Sequence, residues 1–194
     1  MSGLDGVILA AAEVEAFCRD HGWQFCFIGG VAVQRWGMPR FTQDVDLTLM
    51  ATWGTEATFI DILLEKFSAR LSNARNFALE HRVLLAKTAT GIDLDIALGA
   101  FPFEEASTGR ATLWPVNDQI TLTTCSAEDL IIHKVFAGRD RDWSDVDSVL
   151  VRQRGKLNLA HIQHELPPLL ELKDDAESFE KLQRLITDAD SRSQ

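Results

Sequence analysis

Apolar residues recur along this chain with the two periods that helices and strands impose. Over residues 7–21 they fall three and four positions apart, which predicts an amphipathic helix. A Ser-x-x-Asp capping pattern begins at Ser126, and Gly138 follows where that helix would end. Helices are therefore predicted over residues 7–21, 31–36, 55–67 and 126–137, from about residue 143, and as one solvated helix beyond Pro167 and Pro168.

Alternation of apolar and polar residues indicates the strands. In residues 44–49 it puts Asp44 and Asp46 on the face opposite the buried one. A later segment repeats the alternation and puts Asp93 and Asp95 on one face. Strands are predicted over residues 24–28, 44–49, 82–87, 92–98 and 119–123.

The order of these elements predicts an α/β fold of the α+β kind, in which helices flank a small mixed sheet. Strands are confined to the first two thirds of the chain, and only helices follow. We therefore expect a core formed by residues 1–125 and a helical C-terminal segment, residues 126–194, that packs on it.

Gly29 and Gly30 follow the strand predicted over residues 24–28 and precede a helix. Without side chains, their backbone N–H groups can approach phosphate oxygens, and the positive end of the helix dipole adds to the attraction. This predicts a cradle for a triphosphate. The alternative is an ordinary tight turn.

The two aspartate pairs are candidate ligands for divalent cations. Carboxylates at positions i and i+2 of a strand point the same way and repel each other, and a bound cation relieves that repulsion. A third carboxylate from a neighbouring strand would complete a two-metal arrangement for phosphoryl transfer. Asp93 and Asp95 share a face, so spacing alone does not choose between them, and an ordinary solvated face is the alternative for all of these residues.

Composition limits the kind of partner. The chain has 194 residues, is 46% hydrophobic, and carries a net charge of −10. This balance argues against a broad basic surface for nucleic acid and allows a cationic acceptor. The three cysteines lack the spacing of zinc ligands and are expected to be reduced, mostly buried thiols. No apolar run is long enough to span a membrane, and we expect the protein to be cytoplasmic.

Four motifs in order resemble a known family. They are the Gly-Gly pair, Thr-x-Asp-Val-Asp at Thr42–Asp46, a later strand aspartate, and Lys134-Val-Phe-Ala-Gly followed by Asp142-x-x-Asp. Together they resemble the abortive-infection AbiEii toxin family of the polymerase beta-like nucleotidyltransferase superfamily. The resemblance covers about residues 27–150 and implies that superfamily's fold, with residues 1–125 as the nucleotidyltransferase catalytic core.

The resemblance implies a role for each matched residue. Asp95 would be the third carboxylate and the base, and Lys134 would neutralise the triphosphate. The implied metal ligands are Asp44, Asp46 and Asp95, and the implied nucleotide-binding residues are Gly29, Gly30, Thr42, Lys134, Asp142 and Asp145. Mg²⁺ or Mn²⁺ would be the cofactor, an NTP the co-substrate, tRNA or a small hydroxyl compound the acceptor, and an antitoxin protein a partner.

Other interpretations of the same residues stay open. By helical periodicity Lys134 lies away from the apolar face, as an ordinary solvent lysine would. Asp142 and Asp145 at a helix start are also typical of capping and of a favourable interaction with the helix dipole. From its length we expect the chain to be without the large C-terminal acceptor-binding domain of the larger family members. A small-molecule nucleotidyltransferase of the antibiotic-modifying type and a catalytically silent NTP-binding protein are therefore the alternatives to a toxin.

Overall fold

The computed structural model describes residues 3–191. Residues 1–2 of the predicted core and residues 192–194 of the predicted C-terminal segment lie outside the described residues. The chain forms two compact units. The first comprises the residues up to Val31 together with Phe41–Cys125, and the second comprises Ala32–Arg40 together with the residues from Ser126 onwards. The pattern of apolar and polar residues does not predict that residues 32–40 belong to the second unit.

The first unit contains all the strands of the described residues and five helices, counting the one in which the chain passes to the second unit. In chain order its elements are α1 (Gly3–Asp20), β1 (Phe25–Phe27), α2 (Gly29–Trp36), β2 (Asp44–Met50), α3 (Glu56–Lys66), β3 (Ser68–Ala69), α4 (Ala74–His81), β4 (Val83–Lys87), β5 (Asp93–Gly99), α5 (Pro102–Arg110), β6 (Thr112–Pro115) and β7 (Thr121–Thr124).

The strands form one mixed sheet in the order β3-β4-β5-β2-β1-β7-β6. Strands β2 and β5 run parallel, as do β1 and β7, whereas the other neighbours are antiparallel. The parallel pair brings together two strands that are distant in sequence, each with its own pair of aspartates. The predicted mixed sheet flanked by helices is therefore confirmed.

The core of the first unit lies between the apolar face of the sheet and the amphipathic helices. Val7, Ala11 and Val14 of α1 are fully or almost fully buried in it, as the helical period predicts. Leu47 of β2 and Ile96 of β5 come from the same buried sheet face. On the opposite face of these two strands, Asp44, Asp46, Asp93 and Asp95 occupy the end at which both strands begin.

Residue 18 illustrates how the cysteines are used. Within the described residues all three cysteines are buried, as expected. Burial, with a smaller contribution from the charge of Glu15, raises the pKa of Cys18 to about 12. The thiol is therefore un-ionised and unreactive at neutral pH.

The second unit is helical apart from its loops. It contains the later part of α2 and four helices: α6 (Ala127–Ala137), α7 (Asp140–Arg152), α8 (Leu159–Glu171) and α9 (Ala176–Ser191). Ser126 caps α6 by accepting a hydrogen bond from the Asp129 N–H, and Gly138 ends the helix in the left-handed conformation at φ 70°. Both ends of α6 are therefore where the sequence predicted them.

Several predicted boundaries are wrong. Helix α2 begins at Gly29, not at residue 31, so the glycine pair forms its first turn. The helix predicted beyond Pro167 and Pro168 is α9, which begins only at Ala176, and the two prolines themselves lie inside another helix, α8. The helices α4, α5 and α8 were not predicted. The strands β3 and β6 were not predicted either, because β3 has only two residues and β6 is largely exposed. Within residues 3–191, no helix has the length and apolar character needed to cross a bilayer.

Candidate active site

Four aspartates form two rows across strands β2 and β5. Asp44 is paired with Asp93 and Asp46 with Asp95 in the parallel register. All four side chains are partly exposed, whereas the residues between them are buried. Since paired residues of neighbouring strands point to the same side, one sheet face carries four carboxylates.

The segment before β2 shapes this face around Asp44 and Asp46. The Thr42 hydroxyl donates a hydrogen bond of 2.8 Å to Oδ1 of Asp44. The Gly30 N–H lies 3.4 Å from Oδ2 of Asp46 and donates to it. The Ile28 N–H donates to the backbone carbonyl of Asp46 at 3.0 Å, which ties the end of β1 to the same strand. Thr42 therefore contacts Asp44, and Gly30 contacts Asp46.

The two glycines are required by close contacts. A Cβ added at Gly29 would lie 1.9 Å from Oδ2 of Asp46, and one at Gly30 would lie 2.2 Å from the hydroxyl of Thr42. Gly29 also has φ +53°, in the left-handed region that disfavours side chains. Any other residue here would displace Asp46 or Thr42.

Cations face the β5 side of the carboxylate face. Arg70 forms an ion pair with Asp95, and its Nε lies 3.5 Å from Oδ2 of Asp93. The Lys87 ammonium lies 3.2 Å from Oδ1 of Asp93. Asp93 therefore faces two cationic side chains, whereas Arg70 is the partner of Asp95.

The donor set suits hard divalent cations. Carboxylate oxygens are the ligands that Mg²⁺ and Mn²⁺ prefer, and the paired aspartates of β2 and β5 present four carboxylates on one sheet face. In the arrangement of residues 3–191, no three Asp, Glu, His or Cys side chains are grouped closely enough to enclose an ion. The residues fit a divalent cation in chemistry, and closing three of them around one requires side-chain movement.

In the second unit, Lys134 is the centre of an ion cluster. Its Nζ lies 2.8 Å from Oδ1 of Asp142 and 2.8 Å from Oδ2 of Asp145. The side chain is 8% exposed, and those of the two aspartates are 3% exposed. The interpretation of Lys134 as a solvent lysine is therefore wrong, because two buried carboxylates draw the ammonium inwards.

Two arginines complete the cluster. Arg40 binds both oxygens of Asp145, with Nε–Oδ1 and Nη2–Oδ2 distances of 2.5 and 2.7 Å. Arg139 donates to Oδ2 of Asp142 from Nε at 2.7 Å and from its backbone N–H at 3.3 Å. The backbone contact is the capping interaction that the sequence suggested for Asp142, and it coexists with the ion pair to Lys134.

Charge compensation determines how these aspartates titrate. Burial by itself would raise the pKa of Asp142, but hydrogen bonds from Arg139 and Lys134 and the charges of both outweigh it and hold that pKa below its ordinary value. For Asp145 burial is likewise outweighed by Arg40 and Lys134, and its pKa is also lowered. Both aspartates are therefore ionised at neutral pH despite their burial.

The cluster also fixes the loop after α2. Met38 N–H donates to the hydroxyl of Ser148 at 3.2 Å, and Gln34 donates to the Arg40 carbonyl at 2.5 Å. Arg152 donates to the Gly37 carbonyl. The loop that leads into Thr42 and β2 is thus held to α7 by several contacts between residues more than 100 positions apart.

The predicted site residues fall into two groups. The first group lies in the first unit and comprises Gly29, Gly30, Thr42, Asp44, Asp46 and Asp95. Gly29 lies close to Asp46, Gly30 lies close to Thr42, Thr42 donates a hydrogen bond to Asp44, and Asp46 is paired with Asp95. The second group lies in the second unit, where Lys134 forms an ion pair with both Asp142 and Asp145. Sequence reasoning missed Arg70 and Arg40, since each pairs with a residue far away in the chain and neither belongs to a local motif.

Comparison with known proteins gives one family and several similar folds. Residues 15–183 match the family model described as nucleotidyl transferase AbiEii toxin of the type IV toxin–antitoxin system. No curated protein matches the chain significantly.

Among solved structures, an antigenic nucleotidyltransferase-like protein from Paracoccidioides brasiliensis is 15% identical with a TM-score of 0.51, covering 90% of this chain and 91% of its own. At this identity the similarity concerns the fold alone, and it agrees with the nucleotidyltransferase fold expected from the motifs.

Two structures of ANT(2″)-Ia are less similar in fold. The solution structure of this antibiotic-resistance factor is 18% identical, with a TM-score of 0.42 and coverage of 97% of this chain and 90% of its own. The crystal structure of ANT(2″)-Ia with adenylyl-2″-tobramycin is 20% identical, with a TM-score of 0.42 and coverage of 98% and 97%.

Proposed function

Because this chain belongs to the family of AbiEii nucleotidyl transferase toxins, we propose that it transfers a nucleoside monophosphate from an NTP to a hydroxyl acceptor and requires Mg²⁺ or Mn²⁺. The observation that carries the proposal is the register of β2 and β5, which places Asp46 beside Asp95 and Asp44 beside Asp93 on one sheet face. Carboxylates so close to one another need cations to compensate them, and phosphoryl transfer needs cations beside the phosphates.

In the proposed reaction the acceptor oxygen attacks the α-phosphorus of the NTP. The new bond joins that oxygen to phosphorus, the bond from the α-phosphorus to the bridging oxygen breaks, and pyrophosphate leaves. Asp95 accepts the hydroxyl proton. The N–H groups of Gly29 and Gly30 at the start of α2 donate hydrogen bonds to phosphate oxygens, where the helix dipole favours negative charge, and the Gly30 N–H exchanges its long contact with Oδ2 of Asp46 for this one.

Asp44, Asp46 and Asp95 would hold the divalent cation. When bound, it neutralises the carboxylates and stabilises the charge that develops on the phosphates. The Thr42 hydroxyl, which donates to Asp44, orients that carboxylate. Gly29 leaves room for the carboxylate of Asp46 beside the phosphate-binding backbone.

A nucleotide-binding role for Lys134, Asp142 and Asp145 is supported by their match to the family motifs. Their ion cluster keeps the ammonium in one position, since Lys134 is bound by two carboxylates that are themselves held by Arg40 and Arg139. A fixed cation stabilises phosphate charge without reorganising during the reaction.

Labelled nucleotides test the proposed activity and identify the acceptor class. The purified protein is incubated with each α-³²P-labelled NTP, Mg²⁺ and a cell extract, and the products are separated by size and by sensitivity to ribonuclease. Label in RNA indicates a tRNA-type acceptor, and label in a small molecule indicates an antibiotic-type acceptor. The D46N variant is the control, and absence of labelled product with all four NTPs would contradict the proposal.

The family description also supports a role as a toxin with an antitoxin partner. Induced expression in a bacterial host is expected to stop growth, and expression of the D44N and D46N variants is expected to leave growth unchanged. Co-expression of the antitoxin protein should restore the growth of cells that produce the wild-type protein. Equal arrest by wild type and D46N would separate toxicity from the proposed transfer reaction.

A further inference from the structure

Arg70 stands next to the carboxylate face although no motif points to it. It follows edge strand β3 directly, and its backbone N–H donates to the Leu85 carbonyl of β4 at 3.0 Å. Leu85 is paired with Asp95 on β5, and Asp95 with Asp46 on β2. The Arg70 side chain therefore reaches across β4 to the row that contains Asp95 and Asp46.

The guanidinium binds the carboxylate proposed as the base. Arg70 Nη1 donates to Oδ1 of Asp95, and its Nε lies 3.5 Å from Asp93. The Arg70 side chain is 25% exposed and that of Asp95 is 38% exposed. The pair is thus accessible to solvent ions while being held by the sheet.

The charges around Asp95 make Arg70 a substitute for a bound ion. Asp93 has Lys87 at 3.2 Å as a further cationic partner, whereas Arg70 is the cation that contacts Asp95. A divalent ion on Asp95 would lie beside the guanidinium, and the two positive charges would repel each other. The ion and the guanidinium would also compete for the oxygens of the same carboxylate, because the guanidinium N–H groups donate hydrogen bonds to these oxygens.

We propose that Arg70 is a positioning residue that holds Asp95 while no divalent ion is bound and releases it when the ion binds. The inference rests on the proposed function, because it takes Asp95 to be a metal ligand. It adds that the exchange of Arg70 for the ion sets the concentration of Mg²⁺ at which the site fills. The released guanidinium keeps Asp93 as its second partner.

Thermal denaturation across a Mg²⁺ titration tests this exchange without measuring activity. In the R70Q variant, the Mg²⁺ concentration that gives half of the full rise in melting temperature is expected to fall about threefold to fivefold, which matches the modest strength of partly exposed ion pairs. R70K, with a single ammonium in place of the guanidinium fork, is expected to fall between R70Q and wild type.

The matched control is R75Q. Arg75 forms a two-contact ion pair with Asp61, at 2.6 and 3.1 Å, elsewhere in the same unit. This variant loses the same charge, so its Mg²⁺ midpoint should equal that of wild type.

The outcomes separate the two claims. A midpoint in R70Q that is unchanged or higher than in wild type, with a normal response in wild type, would overturn the role of Arg70 and leave the proposed function standing. A response in R70Q but none in wild type would support the exchange in a stronger form. No response in either protein, together with absent transfer activity, would contradict the metal site itself and this inference with it.

Discussion

Asp46 of β2 lies directly opposite Asp95 of β5 in a parallel register, although 49 positions separate them in the chain. Like charges in such a pair destabilise a sheet unless something compensates them. Arg70 compensates Asp95 in the structure. In the proposed site a divalent cation takes over that compensation when it binds.

Removing one charge from this row is expected to separate function from stability. D46N should lower NMP transfer more than about a hundredfold, since the proposed cation, which stabilises the charge that develops on the phosphates, would lose one of its ligands. The free energy of unfolding should change by less than about 1 kcal/mol, because Asp46 is only partly buried and asparagine has the same shape. Labelled product formation and urea unfolding measure the two effects.

Comparison of D95N with D93N belongs to the same prediction. D95N should resemble D46N, whereas D93N should retain most of the activity, because Asp93 already faces Lys87 and Arg70. If D93N lost as much activity as D95N, the assignment of the third carboxylate to Asp95 would be wrong.

The glycine pair offers a second prediction with a close control. G29A should abolish transfer, since its Cβ would lie 1.9 Å from Oδ2 of Asp46 and force that carboxylate away. Gly22 has a similar φ of +65° but no atom within 4 Å of an added Cβ. G22A should therefore cost only about 1–2 kcal/mol of backbone strain and keep its activity.

Measurement of activity and of the free energy of unfolding for both variants distinguishes the close contact from the strain. Full activity in G29A would show that Asp46 need not occupy its position. An equal loss of activity in G22A would show that strain alone explains the effect.

Local periodicity was sufficient to predict the carboxylate face but not its neighbours. The alternation in β2 and β5 follows from one buried and one polar face, so the orientation of Asp44, Asp46, Asp93 and Asp95 could be read from the chain. The parallel pairing of the two strands is a tertiary choice that a period of two does not encode. The two-metal arrangement called for a third carboxylate on a neighbouring strand, which predicted that the two strands are adjacent but not that they are parallel.

Arg70 and Lys134 show why the remainder escaped prediction. Strand β3 has only two residues, which is too short for any alternation to place Arg70. The helical period put Lys134 away from the face of Ile131, Ile132 and Val135, but pairing with Asp142 and Asp145 buries it, while Phe136 is 37% exposed. In both cases an ion pair with a residue of another element places the side chain, and the local pattern does not encode that pair.

The cluster around Lys134 is expected to contribute to stability. K134M should lower the free energy of unfolding by about 3 kcal/mol, the lower end of the range for breaking buried ion pairs, because Arg40 and Arg139 still face the two carboxylates. Urea unfolding at pH 7 measures the loss.

The exposed Lys156 provides the matched substitution. K156M should change the free energy of unfolding by less than about 0.5 kcal/mol. A loss in K134M no larger than in K156M would contradict a structural contribution of the cluster.

Acid is expected to weaken the same cluster. The pKa values of Asp142 and Asp145 are lowered in the folded protein, so their contribution to stability is complete above the ordinary aspartate pKa of about 3.9 and is lost as the pH falls through the lower folded values. Below about pH 4, D145N should therefore lose stability less steeply than wild type, by up to about 1.4 kcal/mol per pH unit.

Urea unfolding between pH 2 and pH 7 gives both slopes, with pH limits chosen to bracket the ordinary aspartate pKa of about 3.9. Parallel curves for wild type and D145N would show that Asp145 has the same pKa in the folded and unfolded chain.

Binding of Mn²⁺ measured by electron paramagnetic resonance shows directly whether the aspartates of β2 hold a metal ion, since the signal of free Mn²⁺ falls on binding and no acceptor is needed. In the presence of a non-hydrolysable NTP analogue, wild type is predicted to remove Mn²⁺ from the free pool, beyond what the analogue alone removes. The D44N/D46N double variant is predicted to add nothing to the analogue. Equal Mn²⁺ binding by wild type and the double variant would contradict a metal site on the aspartates of β2.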